Sequence, residues 1–249
     1  MEQSNSFVGI ALVVIGIVAV GLLAMGLTDT SITVYQEDEH VNTMSVNGTS
    51  MMDVAPDLAI VSTGVSALED DAYSAQQAAN AIMDGMIEAL IALGLEESDI
   101  ETTQMSLYEE TEWSKEEIRH IGWRATQMIS ISTSDLELVG PIIDAATDNG
   151  ANTINGVTFT LSEESREQYY QEALSLASEN AKVKAEAMVL GVDADVGKVV
   201  SMSEVGVYYT PYDVRNEDIY MDAGSTTPAT VMPGDVTLSA SVAVTFEIN

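Results

Sequence analysis

The sequence predicts an α+β fold in which about three helices cover antiparallel-rich sheets, and the spacing of its apolar residues supports this class. Residues 236–248 place an apolar side chain at every second position, which is the period of a strand with one buried face. Two long segments earlier in the chain place apolar residues three or four positions apart, as amphipathic helices do. Glycines, asparagines and capping residues fall between these segments and indicate where each element begins and ends.

The first half of the chain predicts two strands followed by a helix. The strands lie near residues 43–49 and 58–67, and the turn-forming sequence Ala-Pro-Asp at 55–57 separates them. Asp70 or Asp71 can cap a helix that runs to about Leu93, with Gly94 just beyond its end. The predicted buried stripe of this helix is Ala75, Ala78, Ile82, Met86, Leu90 and Leu93.

A hairpin and a second helix are predicted next. Residues 100–113 and 122–133 are strand-like, and the charged sequence SKEEIRH between them reads as the tip of the hairpin. Ser134 to Glu137 form a capping-box pattern that opens a helix. Pro141 is expected to remove one hydrogen bond of that helix and to bend it.

The stretch GANTINGVTFTLS, residues 150–162, is predicted to be a turn between a helix and a strand. Gly150 stands at the helix end, where a left-handed backbone is easy for glycine. Asn155 and Gly156 precede alternating apolar residues, as a turn or bulge that leads into a strand would. A catalytic loop is the alternative interpretation of these three residues.

A long third helix is predicted over 163–190, with Ser162 as its cap. Its predicted inner face is Tyr170, Ala173, Ala177, Ala181 and Met188. The segment that follows this helix repeats the order of Leu-Gly, acidic turn and strand found after the first helix. This similarity predicts a duplicated ββαβ unit.

Residues 208–233 are predicted to form a long loop between a strand near 198–207 and the final strand. Its four tyrosines are candidate interface residues, because a tyrosine ring buries area while its hydroxyl keeps a polar partner. They are Tyr208, Tyr209, Tyr212 and Tyr220. A mobile surface loop and a lid over a ligand are the alternatives.

The charge of the chain excludes some classes of partner. Eight Lys and Arg residues stand against 40 Asp and Glu, giving a net charge of −32. This field repels nucleic-acid phosphate, so no nucleic-acid partner is expected, and it disfavours acidic lipid surfaces. The acidity indicates a protein of a salt-adapted, halophilic organism, or alternatively an acidic extracellular surface.

The residue inventory gives little support for an enzyme. Cysteine is absent and only His40 and His120 occur, so thiolate chemistry and His-rich metal centres lack the side chains that they need. No G-x-S-x-G, P-loop or dinucleotide-binding glycine pattern is present. Carboxylates cluster at 69–71, 109–112 and 116–117, where they could hold a divalent cation. Such clusters are also ordinary in so acidic a chain, and we expect no catalytic residue, metal or cofactor.

The amino end predicts a membrane anchor. Residues 7–27 carry no charge and are long enough to span a bilayer as a helix after a short tail, 1–6. A cleaved signal peptide is the alternative. An acidic stalk, 28–42, and one large domain, 43–249, follow. Asn47 lies in an N-glycosylation sequon, which fits a domain exported across a membrane.

Several blocks together resemble the SIMPL-domain family, a family of largely unknown function. They are VNGTSMMDVAPDLAIVSTGV, ALIALGLEESDIETTQMSL, GWRATQMISISTSDLELVGPIIDAATDNGANTINGVTFTLS, KAEAMVLGVDADVGKVVSMSE and PGDVTLSASVAVTFEI. The resemblance covers about residues 43–249. It implies an α+β fold and a periplasmic, membrane-anchored or surface protein of the oxidative-stress-defence or immunogenic envelope type. It supplies no catalytic residues.

We therefore expect a single-pass membrane protein whose main domain is extracytoplasmic and which is not an enzyme. It would act through self-assembly as a homo-oligomer, or through contacts with other proteins. The alternative function is a surface module that binds a small molecule or a divalent metal.

Overall fold

The computed structural model describes residues 41–113, 118–215 and 231–249, and these ranges contain eight strands and three helices. The strands are β1 (Thr43–Val54), β2 (Leu58–Glu69), β3 (Ile100–Trp113), β4 (Ile118–Thr133), β5 (Thr153–Thr160), β6 (Val196–Thr210), β7 (Tyr212–Arg215) and β8 (Val236–Ile248). The helices are α1 (Ala72–Ala92), α2 (Val139–Asp148) and α3 (Glu163–Leu190). Residues 42–249 form one compact unit.

The strands form two sheets with antiparallel pairing throughout. The five-stranded sheet has the order β3-β4-β2-β5-β7, and the three-stranded sheet has the order β1-β8-β6. Helices α1 and α2 pack on the larger sheet, and α3 packs on β1 and β8 of the smaller one. The predicted α+β class with three helices and antiparallel sheets is confirmed.

Helix α1 begins and ends where its capping aspartate and the following glycine predict. The Asp71 carboxylate accepts hydrogen bonds from the amides of Tyr73 and Ser74, each at 3.0 Å, and Gly94 follows the helix with a φ of 101°. Its buried residues are Ala75, Ala79, Met83, Met86 and Leu90. The predicted stripe was therefore wrong by one position at Ala78 and Ile82, and it was wrong at Leu93, which is exposed at the end of the helix. Ile82 is only half-buried because it points toward α2, where it lies beside Gly150.

Helix α2 begins later than the predicted capping box. Asp135, not Ser134, is the capping residue, and it closes a short 3-10 turn over Leu136–Leu138 before α2 starts at Val139. Pro141 is thus the third residue of α2. The amide groups of a first helical turn have no partner within the helix, so the proline removes no hydrogen bond there.

Helix α3 has the predicted bounds, and Ser162 caps it by accepting a hydrogen bond from the Ser165 amide. The residues that it buries are Ala173, Ala177, Ala181, Ala185 and Val189, each four positions after the last. The prediction of Met188 was wrong, since it is more than half exposed and Val189 takes the inner position. Alanine at four successive inner positions lets the helix axis lie close to the sheet.

Strand β8 is the central strand of the smaller sheet. Its residues alternate between buried and half-buried from Val236 to Phe246, as the sequence predicts. The buried residues from Ala240 to Phe246 pack on the inner face of α3, together with Val46 of β1. Val236 and Leu238 pack with Val54 and Leu161. Two glycines allow close backbone contact in these sheets: Gly48 of β1 lies against α3, and Gly64 of β2 lies against β4.

Two predicted loops are shorter in the structure. Strand β4 starts at Ile118 rather than Gly122, so Arg119 and His120 lie within a strand. The loop predicted over 208–233 is wrong at its start, because β6 continues to Thr210 and β7 follows at once. Residues 216–230 lie outside the described residues. The segments after α1 and after α3 both form an edge strand, but their pairing differs. Strand β3 pairs with the next strand, β4, whereas β6 pairs with β8, and the next strand after β6, β7, joins the other sheet.

Among the described residues, no helix combines the length and apolar character of a membrane span. The predicted anchor at 7–27 lies outside the described residues, as do the tail 1–6 and nearly all of the stalk 28–42.

Candidate interaction surface

The turn residues of the stretch 150–162 serve the fold. Gly150 has a φ of 96° and ends α2: its amide bonds to the Thr147 carbonyl, and the Ala151 amide bonds to the Ala146 carbonyl. Asn155 is the extra residue of a bulge between β5 and β2, and Gly156 beside it has a φ of 133°. These are the backbone conformations that the sequence predicts for both glycines.

The side chain of Asn152 continues the β2–β5 ladder, a role that the sequence did not reveal. Its carbonyl oxygen accepts from the Ser66 amide and its NH2 group donates to the Ser66 carbonyl, both at 2.8 Å. The Asn152 amide bonds to the Gly64 carbonyl at 3.1 Å. The Asn152 side chain therefore makes the hydrogen bonds to β2 that a strand residue would make, one residue before β5 begins.

The carboxylates at 109–112 take part in two cross-strand ion pairs with arginines and one hydrogen bond with a histidine. Glu112 bonds to Arg119 at 3.0 Å, Glu109 to His120 at 2.8 Å, and Glu110 to Arg124. The hydrogen bond from Arg124 lowers the pKa of Glu110, and burial opposes that shift only partly. These pairs hold the two arms of the β3–β4 hairpin together.

The other carboxylate clusters do not form a metal site in the described residues. At 69–71, Asp71 is occupied as the cap of α1. The pair at 116–117 lies outside the described residues, as does His40. Within the described ranges, no three acidic or histidine side chains come together in a way that could hold a metal ion.

Asp57 links the β1–β2 turn to the start of α3. Its carboxylate accepts hydrogen bonds from the Ser162 amide at 2.6 Å, from the Ser162 hydroxyl at 2.7 Å and from the Ser165 hydroxyl. Burial raises the pKa of Asp57, but the bonds from Ser165 and Ser162 together outweigh it, so the pKa lies below its ordinary value. A carboxylate at a helix N-terminus also interacts favourably with the helix dipole.

The four candidate tyrosines have different environments. Tyr209 is half-buried, and its hydroxyl bonds to the Thr160 hydroxyl and accepts from the Leu161 amide at 3.0 Å. The Tyr212 ring lies 6.4 Å from the Phe159 ring, centroid to centroid. Tyr208 is 69% exposed on β6, and Tyr220 lies outside the described residues. Of the three that are described, Tyr208 is therefore the one whose side chain is mostly available to a partner.

Tyr208 belongs to an exposed apolar edge formed by β6, which we call the β6 edge. Its members, each about half exposed or more, are Val199, Val200, Met202, Val205 and Tyr208. Val199 and Met202 lie on the side of the sheet that faces α3 and are open there because α3 lies mainly over β1 and β8. Tyr208 lies on the opposite face. Val200 and Val205 are the extra residues of two bulges in the β6–β8 pairing.

Asn47, the glycosylation candidate, lies on β1 with its side chain exposed. Its side chain and that of Thr49 point to the face of the sheet opposite α3, while Gly48 between them is buried against the helix. The sequon is thus accessible, on a regular strand.

The sequence matches a family catalogued as SIMPL, a protein of unknown function (DUF541), over residues 44–246. It is 24% identical over 212 residues to the "26 kDa periplasmic immunogenic protein" of Brucella melitensis, covering 82% of this chain and 84% of that protein. It is 26% identical over 167 residues to the "uncharacterized protein YggE" of Edwardsiella ictaluri, covering 67% and 68% of the two chains. The YggE protein of Escherichia coli K12 is 22% identical over 156 residues, or 63% of each chain.

The family match runs from the start of β1 to the end of β8 and so includes both sheets and all three described helices. On that coverage, the chain belongs to the SIMPL (DUF541) family of proteins of unknown function.

Proposed function

We propose that this protein is an extracytoplasmic envelope protein that residues 7–27 anchor in the membrane, and that it acts by associating with further copies of itself rather than by catalysis. Its export is supported by the similarity to a protein named as periplasmic in Brucella melitensis and by the uncharged amino-terminal segment. The self-association rests on one observation, the exposed apolar β6 edge.

The β6 edge has the features of a strand that pairs with another chain. It is 15 residues long, and the side of its backbone away from β8 has no neighbouring strand in the described sheet. An edge strand of this kind presents unpaired amide and carbonyl groups together with apolar side chains, which favours strand-to-strand association.

Charge also favours β6 over the other edges for contact between identical chains. Its 15 residues contain one lysine and one glutamate, so the strand is neutral in a chain of net charge −32. Lys198 bonds to Glu247 at 3.0 Å, and Glu204 accepts from the Tyr170 hydroxyl. Glu204 thus has no cationic partner among the described residues, so each of two copies that meet along β6 brings one unpaired carboxylate to the contact.

The remaining edge strands of the described sheets are less suited to pairing with another chain. The β3 edge carries four glutamates, and β7 has only four residues. On β1, side chains of α3 bond to edge backbone groups: Asn180 accepts from the Thr49 amide at 3.1 Å, and Lys184 donates to the Asn47 carbonyl at 3.0 Å. Covering an edge in this way prevents pairing with another strand.

The test is the native mass of the full chain in molar salt, where repulsion between acidic copies is screened. We expect an oligomer for the parent and a smaller species for Val205→Glu, because the new charge would be buried between strands. Val183→Glu is the matched control, since it makes the same charge change at a similarly exposed valine of α3. A monomeric parent, or an unchanged mass for Val205→Glu, refutes association through β6.

A further inference from the structure

The face of the three-stranded sheet opposite α3, which we call the outer face, is a regular array of hydroxyl groups. Residues paired across antiparallel strands point to the same side, so the register defines rows of three across β1, β8 and β6. The rows are Ser45, Thr245 and Ser201; Asn47, Ala243 and Ser203; Thr49, Ser241 and Gly206; Met51, Ser239 and Tyr208; and Asp53, Thr237 and Thr210. Nine of these fifteen residues are serine or threonine.

Most of these hydroxyl groups have no side-chain hydrogen-bond partner in the part of the chain that the structure describes. In the described part of the chain, Ser45 bonds to Thr245 at 2.9 Å and Thr237 donates to Asp53 at 2.7 Å. The hydroxyls of Ser239, Ser241 and the two β6 serines have no such side-chain partner among the described residues. Each hydroxyl can donate one hydrogen bond and accept two, so the face offers donors and acceptors at fixed spacing.

The outer face is nearly uncharged, in contrast to the chain as a whole. Among the described residues it carries two carboxylates: Asp53 in the last row, and Glu247, which pairs with Thr43 beyond the first row and bonds to Lys198 at 3.0 Å. The chain as a whole has 40 acidic residues. The surrounding field repels an anionic polymer, and the face offers a cation no carboxylate cluster. An uncharged ligand with many hydroxyl groups matches these properties.

Tyr208 adds a flat aromatic surface to the array. Its side chain leans back along β6 over Gly206, where two ring carbons and the hydroxyl oxygen lie 3.6–3.7 Å from the point that a Cβ of that glycine would occupy. Tyr208 is 69% exposed, so most of its side chain remains accessible to a ligand. An aromatic ring in this position can stack on the C–H face of a sugar ring while neighbouring hydroxyls bond to the sugar's own hydroxyl groups.

The dimensions of the face favour a chain-like ligand over a second protein. Three strands and five rows cover about 14 Å by about 33 Å, or roughly 450 Å², from the usual strand and residue spacings. A stable protein interface buries about 800 Å² on each partner and has an apolar centre, which this face lacks. A short linear oligosaccharide fits the long dimension.

We propose that the outer face binds an uncharged oligosaccharide or polysaccharide, with Tyr208 as the stacking residue and Ser241 in the central strand as a hydrogen-bonding residue. This binding function is distinct from association along β6, and Tyr208 belongs to both surfaces, whereas Ser241 belongs to the outer face alone.

The test uses the full chain in a detergent without sugar groups and in molar salt, with ligand-observed NMR to measure binding. The probes are maltohexaose, cellohexaose and mannohexaose, with hexagalacturonate as the anionic comparison. We expect at least one neutral hexasaccharide to bind and hexagalacturonate not to bind. The loss of one stacking or hydrogen-bonding group corresponds to about a fivefold weaker Kd for Tyr208→Ala and for Ser241→Val.

Tyr73→Ala is the matched control, because Tyr73 is 74% exposed on α1, away from the outer face. This substitution should leave the Kd unchanged. Native mass and thermal midpoint are recorded for every variant. Ser241 lies on the central strand, so an unchanged mass with a weaker Kd separates sugar binding from self-association. The proposal is overturned if no neutral hexasaccharide binds, if hexagalacturonate binds as well as the best of them, or if both variants bind like the parent.

Discussion

Gly48→Ala is expected to destabilise the protein because it pushes α3 away from the three-stranded sheet. A Cβ at Gly48 would lie 2.7 Å from both the Cβ and the amide nitrogen of Ala181, and nearer still to the Ala177 carbonyl oxygen. Ordinary van der Waals contact begins at 3.4 Å, so the helix must move by at least 3.4 − 2.7 = 0.7 Å. The alanines that line α3 have no longer side chains with which to fill that gap.

The cost follows from the contacts that the shift weakens. Each pair of atoms in contact contributes about 0.15 kcal/mol, and a gap of this size removes roughly a third of that energy. Over a few dozen atom pairs, the loss sums to about 2 kcal/mol. Overpacked cores lose about 1–3 kcal/mol in general, so we expect about 2–3 kcal/mol for Gly48→Ala.

The measurement is the free energy of unfolding of the full chain in urea and molar salt, followed by circular dichroism. Gly85→Ala is the control, since Gly85 lies inside α1 with no neighbouring atom within 4 Å of an added Cβ. We expect that variant to gain up to about 1 kcal/mol from the higher helix propensity of alanine. If the free energy of unfolding of Gly48→Ala lies within about 0.5 kcal/mol of that of the parent, α3 does not depend on close packing against β1.

Other substitutions test the remaining contacts. Asp57→Asn should cost roughly 1–2 kcal/mol at neutral pH. The pKa of Asp57 is lowered in the folded state, so the stability difference between the parent and Asp57→Asn should be complete above about pH 5. The difference should disappear as the pH falls through the folded pKa, which lies below about 3.9. A stability difference that does not change with pH would count against a role for the charged carboxylate. Asn152→Ala should lower the free energy of unfolding by about 1–2 kcal/mol, because two hydrogen bonds to β2 are lost. Asn152→Asp should cause a similar loss, because a carboxylate cannot donate to the Ser66 carbonyl. An alanine variant as stable as the parent would refute the role of Asn152 in the β2–β5 ladder. Gly156→Val should destabilise by roughly 1–3 kcal/mol, since its φ of 133° is strained for any other residue, and a parent-like unfolding midpoint would contradict this. The thermal midpoint of the parent should rise between dilute buffer and molar salt, because screening relieves the repulsion of a net charge of −32; an unchanged midpoint would mean that this repulsion does not limit stability.

Features that depend on neighbours in sequence could be predicted from the sequence. The ends of α3 follow from Ser162 and from Gly191, and the alternation of β8 follows from the period of two. The interpretation of Gly150 and Gly156 as turn and bulge residues depends likewise on adjacent residues, and the structure contains those backbone conformations.

Features that depend on distant residues could not be predicted. The sequence around Asn152 says nothing about Ser66, which lies 86 positions away, and nothing near Gly48 indicates that α3 will lie against it. The array on the outer face exists only once the register of three strands is set, so no single segment of the sequence reveals it.

The central position of β8 has a consequence for how the chain folds during synthesis. Strand β8 pairs with β1 in a register that joins Thr43 to Glu247, so almost the whole described chain lies between the two partners. The larger sheet draws its strands from residues 58–215 and can assemble while the ribosome is still adding the last strand. The smaller sheet must wait for the last strand, and such long-range pairing is slow. During that interval β1 and β6 have no central strand between them, and the apolar side of α3 has no cover.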